Sequence, residues 1–216
     1  MFYSGIKTLL PRHLVIQRLR STAPGVLLTF DDGPHREVTP GVLERLDKYH
    51  AKAVFFVIGQ RIQDAPQVLE QVRAGGHLVG NHSYLHEDHY VRAGERRVKC
   101  AEYYQDIKRC QTVIRRYTGQ QPFLFRPPGG RLTPVTLLVP TVLGLRCVTW
   151  SQETGDWRFR SAREARLGAV ALANAINPRD ILLLHDDNPY VLDLLDSLLP
   201  KLAQRRMDLA SGVEYL

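Results

Sequence analysis

Residues 25–35 read Gly-Val-Leu-Leu-Thr-Phe-Asp-Asp-Gly-Pro-His. Val26 to Phe30 form an apolar and β-branched run that reads as a buried strand. The run ends on two adjacent carboxylates, Asp31 and Asp32. Like charges a few ångströms apart repel, and a low-dielectric neighbourhood strengthens the repulsion. Such a pair is tolerated where water screens both groups, or where a cation or a proton neutralises one. Gly33-Pro34 then turns the chain sharply.

Outward from this strand the same alternation repeats. Strand patterns are expected at Val26–Phe30, Ala53–Ile58, His77–Gly80, Phe123–Arg126, Arg146–Trp150 and Ile181–His185, with a weak one at Met207–Ala210. Helical patterns lie between them at Thr39–His50, Ala65–Ala74, Ala93–Tyr117, Thr133–Leu143, Ala162–Ile176 and Tyr190–Arg205. About seven strand–helix alternations predict an α/β fold, a parallel sheet with outer helices closed as a barrel. Residues 23–216 are expected to form one domain behind an N-terminal extension, residues 1–22.

Composition narrows the classes. The 216 residues carry a formal net charge of +7, which suits an acidic partner such as an anionic membrane or acidic glycan. Much of the excess sits in Arg92, Arg96, Arg97, Lys99, Lys108, Arg109, Arg115 and Arg116, mixed with Glu95, Glu102 and Asp106 in the manner of a solvated helix face. No aromatic-interleaved basic motif accompanies it, so a nucleic-acid partner is not expected. Cys100, Cys110 and Cys147 lack CxxC spacing and are expected reduced and buried. No stretch approaches the ~20 apolar residues of a membrane span. Pro11, Arg12, His13 and Arg18 interrupt the N-terminal apolar residues, which argues against a signal peptide and for a cytoplasmic protein. Arg12 to Arg20 is expected as a short helix on the outside of the domain, with a membrane-surface helix as the alternative.

In parallel barrels chemistry gathers at the C-terminal ends of the strands. Those ends carry Asp31 and Asp32; Asn81, His82 and His86; Arg126 and Gly129; Asp156 and Trp157; and His185 with Asp186. His82 and His86 are four apart, so one helical turn would bring both imidazoles to the same side. With a carboxylate from another strand end they would complete a His₂–carboxylate set of the kind that holds catalytic zinc. One of the two aspartates can be that ligand, and the other then stays free as a general base. His185 follows a buried run and emerges opposite, a candidate general acid, with Asp156 available to orient it. Arg126 is placed to anchor a carboxylate.

"TFDDGP", "NHSYLH", "RPPGG", "DW" and "ILLLHD", in this order, resemble the polysaccharide deacetylase family, also called the NodB-homology domain. The resemblance covers about Val26 to Asp186. It implies a distorted (β/α) barrel and metal-dependent hydrolysis of N-acetyl groups on an amino-sugar glycan. The alternatives are deformylation, O-acetyl ester hydrolysis, or a silent glycan-binding homologue. Carried over by motif, Asp31 resembles the catalytic base, and Asp32, His82 and His86 the ligands of one divalent ion. Zinc is the expected ion, with cobalt, nickel or manganese as substitutes. Arg126 resembles the arginine that positions the base, and His185 the acid, with Asp156 as its partner. Leu183 and Trp157 resemble the walls of a small acyl pocket, and the Gly129 N–H could serve an oxyanion. Two departures stand out. Glu153 replaces the first Asp of the usual Asp-x-x-Asp-Trp motif, and Gly129 stands where many relatives have Tyr.

Overall fold

The structure, a computed structural model, describes residues 12, 14–87 and 100–216. Eight strands form one sheet: β1 (Val15–Ile16), β2 (Leu27–Asp31), β3 (Ala53–Val57), β4 (Leu78–Asn81), β5 (Leu124–Phe125), β6 (Arg146–Val148), β7 (Gln152–Glu153) and β8 (Ile181–His185). Their order is β1-β6-β5-β4-β3-β2-β8-β7, and every neighbouring pair is parallel.

This is the expected parallel α/β architecture, with one strand more and an open seam where the sequence suggested closure. β1 and β7 end the sheet. The chain after β1 crosses that gap, with the Leu19 N–H donating to Arg179 O at 2.9 Å. Residues 14–20 are therefore not a helix. Val15 and Ile16 pair with Cys147 and Val148. An edge strand with unpaired backbone groups and an apolar interior favour extension of a Val-Ile pair over a short surface helix. The weak strand at Met207–Ala210 is reduced to a single bridge between Gly25 and Asp208.

Alternation along the strands sends apolar side chains to both faces of the sheet. Leu27, Val54, Phe56, Leu124, Val148 and Ile181 face inward with Ile16 and Leu19. Leu28, Phe30, Phe55, Leu182 and Leu184 face outward to the helices. Seven helices are described: α1 (Val38–Lys48), α2 (Gly59–Asp64), α3 (Pro66–Ala74), α4 (Cys100–Thr118), α5 (Pro134–Val142), α6 (Ala162–Ala175) and α7 (Val191–Gln204). In α7 the buried Val191, Leu194, Leu195, Leu198, Leu199 and Leu202 form the apolar stripe that seats it. The Ser161 hydroxyl caps α6 by accepting from the Glu164 N–H, and Thr133 caps α5 in front of Pro134. The short α2 is unforeseen in the sequence. Residues 93–99 of the expected fourth helix lie outside the described residues, as do Arg92 and the other basic residues up to Lys99. None of the three cysteines is in a disulfide; Cys110 and Cys147 are buried as expected, but Cys100 is exposed on the first turn of α4. No described helix is long and apolar enough to cross a membrane.

Candidate active site

Inward-facing positions on β2 are Leu27, Thr29 and Asp31, so the alternation that fills the core with Leu27 delivers Asp31 to its upper end. Asp31 is buried, and its register partner on β8 is His185. Adjacent strands lie about 4.8 Å apart, which sets the two side by side on the rim.

The fully buried Arg126 guanidinium reaches from the end of β5 to Asp31. Its Nη1 donates to Asp31 Oδ1 and to Thr29 Oγ1, both at 2.7 Å, and its Nε and Nη2 donate to Val148 O and Thr149 O. The plane lies over the Phe56 ring, 4.2 Å from its centroid. Burial pulls the guanidinium's pKa down and Asp31 opposes it. A buried charge with all these donors satisfied is fixed in place. With Oδ1 held by Arg126, Asp31 turns Oδ2 toward His82, 3.6 Å from its Nε2.

Asp32 leaves the strand with φ 73°, the left-handed region that an L-residue enters at a cost. That turn sends its carboxylate to the loop after β4. Its Oδ1 lies 3.1 Å from His86 Nε2 and 3.4 Å from His82 Nε2, yet is buried without a hydrogen-bond partner. His82 Nδ1 sits 2.7 Å from Arg126 O, an arrangement that makes Nδ1–H the donor and aims the Nε2 lone pair at Asp32. The ligating atoms of Asp32, His82 and His86 all lie within 4.8 Å of one another. Two imidazole lone pairs and an unpartnered carboxylate oxygen on one point suit a divalent cation.

The electrostatics agree. Burial opposes the charged form of Asp32, but the close approach and charge of His82, with His86 and His185, hold its carboxyl well below the usual range. Burial works against protonation of His82, and Asp31 and Asp32 outweigh it, so its pKa is raised. His86 goes the other way, lowered by burial and then by His82.

The two histidines do not meet on a helix as the spacing suggested. Residues 82–87 form an irregular loop with Ser83 at φ 67° and His86 at φ 58°. Asp106 on α4 holds it, accepting from the Tyr84 and Leu85 N–H groups at 3.0 and 3.1 Å. Asn81 adds a second tie, accepting from Ser83 N–H and donating to Ile107 O. The sequence reading did not single out Asp106. In sequence it is one of two acids on α4, with Glu102, on what reads as a solvated face.

On the opposite side Asp156 clamps His185 twice. Oδ2 accepts from the His185 N–H at 2.7 Å, and Oδ1 faces Nδ1 at 3.0 Å. Burial disfavours the imidazolium, but the hydrogen bond and charge of Asp156, with Asp31 and Asp32, raise the pKa to about 9. Trp157 packs its edge on the imidazole, centroids 5.0 Å apart, and is itself partly exposed. Leu183, two residues back on β8, is buried on the same inner face. Gly129 sits exposed at φ 62° in the turn after β5, with open space where a side chain would project. Glu153 lies on β7 and is exposed.

A further buried acid lies beneath the site. Asp186 accepts from Thr39 Oγ1 at 2.5 Å and its other oxygen has no partner; burial raises its pKa to about 7. A Cβ on Gly33 would come within 2.4 Å of this carboxylate, which explains the glycine of the Asp-Asp-Gly turn. Arg61 on α2 donates to Asp32 O at 2.6 Å and to Asp187 at 2.9 Å. A polar cleft of about 400 Å³, lined by Asp32, Gln60, Arg61, Asp64, Leu85 and His86, opens beside the cluster. Another depression of about 280 Å³ lies under α1 and α3, away from the rim. Its His77 is neutral, lowered to about 4 by burial and Lys52.

Comparison with known proteins accords with this geometry. The family model described as polysaccharide deacetylase matches residues 19–148. The chain belongs to the polysaccharide deacetylase family. It is 35% identical over 177 residues to the peptidoglycan-N-acetylglucosamine deacetylase PgdA of Listeria monocytogenes, covering 82% of this chain but only 35% of that protein. Over 174 residues it is 37% identical to a chitooligosaccharide deacetylase of Azorhizobium caulinodans, covering 80% of this chain and 78% of the relative. Among solved structures, a family 4 carbohydrate esterase from Streptomyces lividans in complex with acetate superposes with a TM-score of 0.74 at 28% identity. That match covers 85% of this chain and 91% of the esterase. As a member of the polysaccharide deacetylase family, the chain carries all five motifs on one rim of the sheet.

Proposed function

We propose that this chain is an N-deacetylase of an amino-sugar glycan, releasing acetate and leaving a free amine. The observation that carries the reading is the pairing on the rim. A buried carboxylate, Asp31, and a clamped histidine, His185, are register partners, with a three-ligand cation cluster beside them. Cleaving an amide needs a proton taken at one side and delivered at the other, and these two residues hold those places.

Asp32, His82 and His86 would hold one divalent ion, and a His₂–carboxylate set favours zinc. When bound, such an ion polarises an acyl carbonyl and lowers the pKa of water. Asp31 Oδ2 accepts the proton of the attacking water. Arg126 keeps that carboxylate oriented, and its charge offsets the cost of burying it. The His185 imidazolium, engaged at Nδ1 by Asp156, presents Nε2 to the departing nitrogen and donates its proton there. An amine leaves poorly without one, so the raised pKa serves the step. Leu183 and Trp157 bound a space suited to a methyl-sized acyl group, and the Gly129 N–H is the proposed donor to the oxyanion. The open surface at Gly129 leaves room for a glycan bulkier on that side than an aromatic residue would admit.

The test is acetate release and amine appearance, measured together on chitooligosaccharides and on peptidoglycan with zinc supplied. Equal molar yields of acetate and amine on either substrate support the reading. Formate, acetate without amine, or no product from either would overturn it.

A further inference from the structure

At the end of the sheet opposite the active site, we infer, arginines and exposed apolar side chains form a docking surface for an anionic phospholipid membrane. The proposal stands apart from the deacetylase reading and would survive its failure.

The fold brings the residues together from distant parts of the chain. Arg12 donates to Arg18 O at 2.8 Å and to Tyr215 O at 3.0 Å. The Arg20 N–H donates to the same Tyr215 carbonyl, and the Leu19 N–H to Arg179 O. Arg146 opens β6, whose other neighbour is β1, and lies beside Leu14 in that register. All four arginines are exposed. They act on one another: burial first, and then Arg20, Arg146 and Arg179, lower the pKa of Arg12. Among the described residues none of the four forms an ion pair, because Asp180, the buried acid at this end, is taken by Arg18 at 2.8 Å. Glu214 is the one acid of the adjoining C-terminal turn.

Charge alone would suit any polyanion. The apolar residues decide for a lipid surface. Leu14, Phe123 and Val142 are 36%, 45% and 76% exposed. Phe123 precedes β5, Leu14 precedes β1, and Val142 ends α5 four residues before Arg146. In the order β1-β6-β5, Leu14 and Phe123 thus flank Arg146. Leu138, 64% exposed, continues the apolar line one turn up α5. Arg115 and Arg116 close α4 at the same end. Guanidinium groups paired with exposed aromatic and aliphatic side chains match a phosphate headgroup layer above an acyl boundary. Docked this way, the catalytic rim faces away from the lipid, about one strand length of ~17 Å above it.

The experiment is flotation of the full chain with vesicles of phosphatidylcholine containing about one-third phosphatidylglycerol, against pure phosphatidylcholine, at about 0.1 M salt. The protein should float with the anionic vesicles, not with the neutral ones, and salt of about 1 M should release it. An arginine at an anionic surface is worth roughly fivefold in partitioning. R20Q/R146Q/R179Q should therefore bind about a hundredfold more weakly, while R20K/R146K/R179K should bind nearly as wild type. Phe123→Ser should weaken binding severalfold with the charge unchanged. The salt titration of the wild type needs no variant, so misfolding of the triple mutant would not rescue the idea. It fails if wild type ignores anionic vesicles, binds neutral ones equally, or keeps its affinity in the glutamine variant. Capture by soluble polyphosphate without flotation would overturn it in favour of an anionic polymer.

Discussion

The two halves of the site are built to different tolerances. Around His185 the contacts are short and complete: Asp156 gives one oxygen to the backbone N–H at 2.7 Å and the other to the ring at 3.0 Å. Around Asp32 the distances run from 3.1 to 3.4 Å, and a buried oxygen has no hydrogen bond. An unsatisfied buried oxygen costs about 1–3 kcal/mol, and folds seldom keep one without a use. The first half is finished, holding a proton on a fixed ring. The second is a set of converging lone pairs and a carboxylate oxygen that no protein group satisfies. Asp31 stands between them, tied to Arg126 on one oxygen and facing the cluster with the other.

This contrast can be broken by substitution. The largest effect expected is at the aspartates. Asp31→Asn should keep cation binding and lose about 10²–10⁴-fold in kcat, the usual worth of a general base. Asp32→Asn should lose the cation itself. Metal content and turnover measured on both proteins check this, and the reverse pattern would exchange the two roles. Next comes Asp106→Ala, which frees the Tyr84 and Leu85 N–H groups and lets His86 drift. Outer supports of this kind are worth about 10–100-fold in metal affinity, readable by titration with a competing chelator. An unchanged affinity would mean that the loop holds its shape without Asp106.

A subtler effect concerns pH. In the proposed reaction His185 acts in its protonated form, so kcat/KM should fall as pH rises through its pKa, raised to about 9. Asp156→Asn removes the carboxylate that raises it, and the basic limb should move down toward the ordinary value of 6.5. A bound dication pulls the limb down in both proteins, so the difference between them is the readout. Identical limbs would show that another group titrates there. The smallest effect is Gly33→Ala, whose methyl group meets the Asp186 carboxylate. Overpacking of this kind costs about 1–3 kcal/mol, visible as a lowered midpoint in denaturant.

The strand ends were legible because a buried strand announces itself by composition and leaves its last residue on the rim. Asp31, Arg126 and His185 each follow such a run. The N-terminal segment was misread because Leu14, Val15 and Leu19 fit a helical face as well as an edge strand. Only the unpaired backbone of β6 decides between them, and that is a tertiary fact. The His82–His86 spacing suggested a helix for the same reason: four residues can meet by a helical turn or by a loop with two left-handed residues. What selects the loop is Asp106 on α4, twenty residues away, and local sequence holds no trace of that contact. The basic end of the sheet was equally hidden, since its arginines converge only when the strands are set side by side.

The central claim is that the cation is held by one half of the site and the proton by the other. Calorimetric titration of zinc into His82→Ala and His185→Ala tests it most directly. The account predicts that His82→Ala loses binding, while His185→Ala binds as tightly as wild type or slightly tighter, because a nearby positive charge has gone. Equal loss of zinc affinity in the two proteins would contradict it.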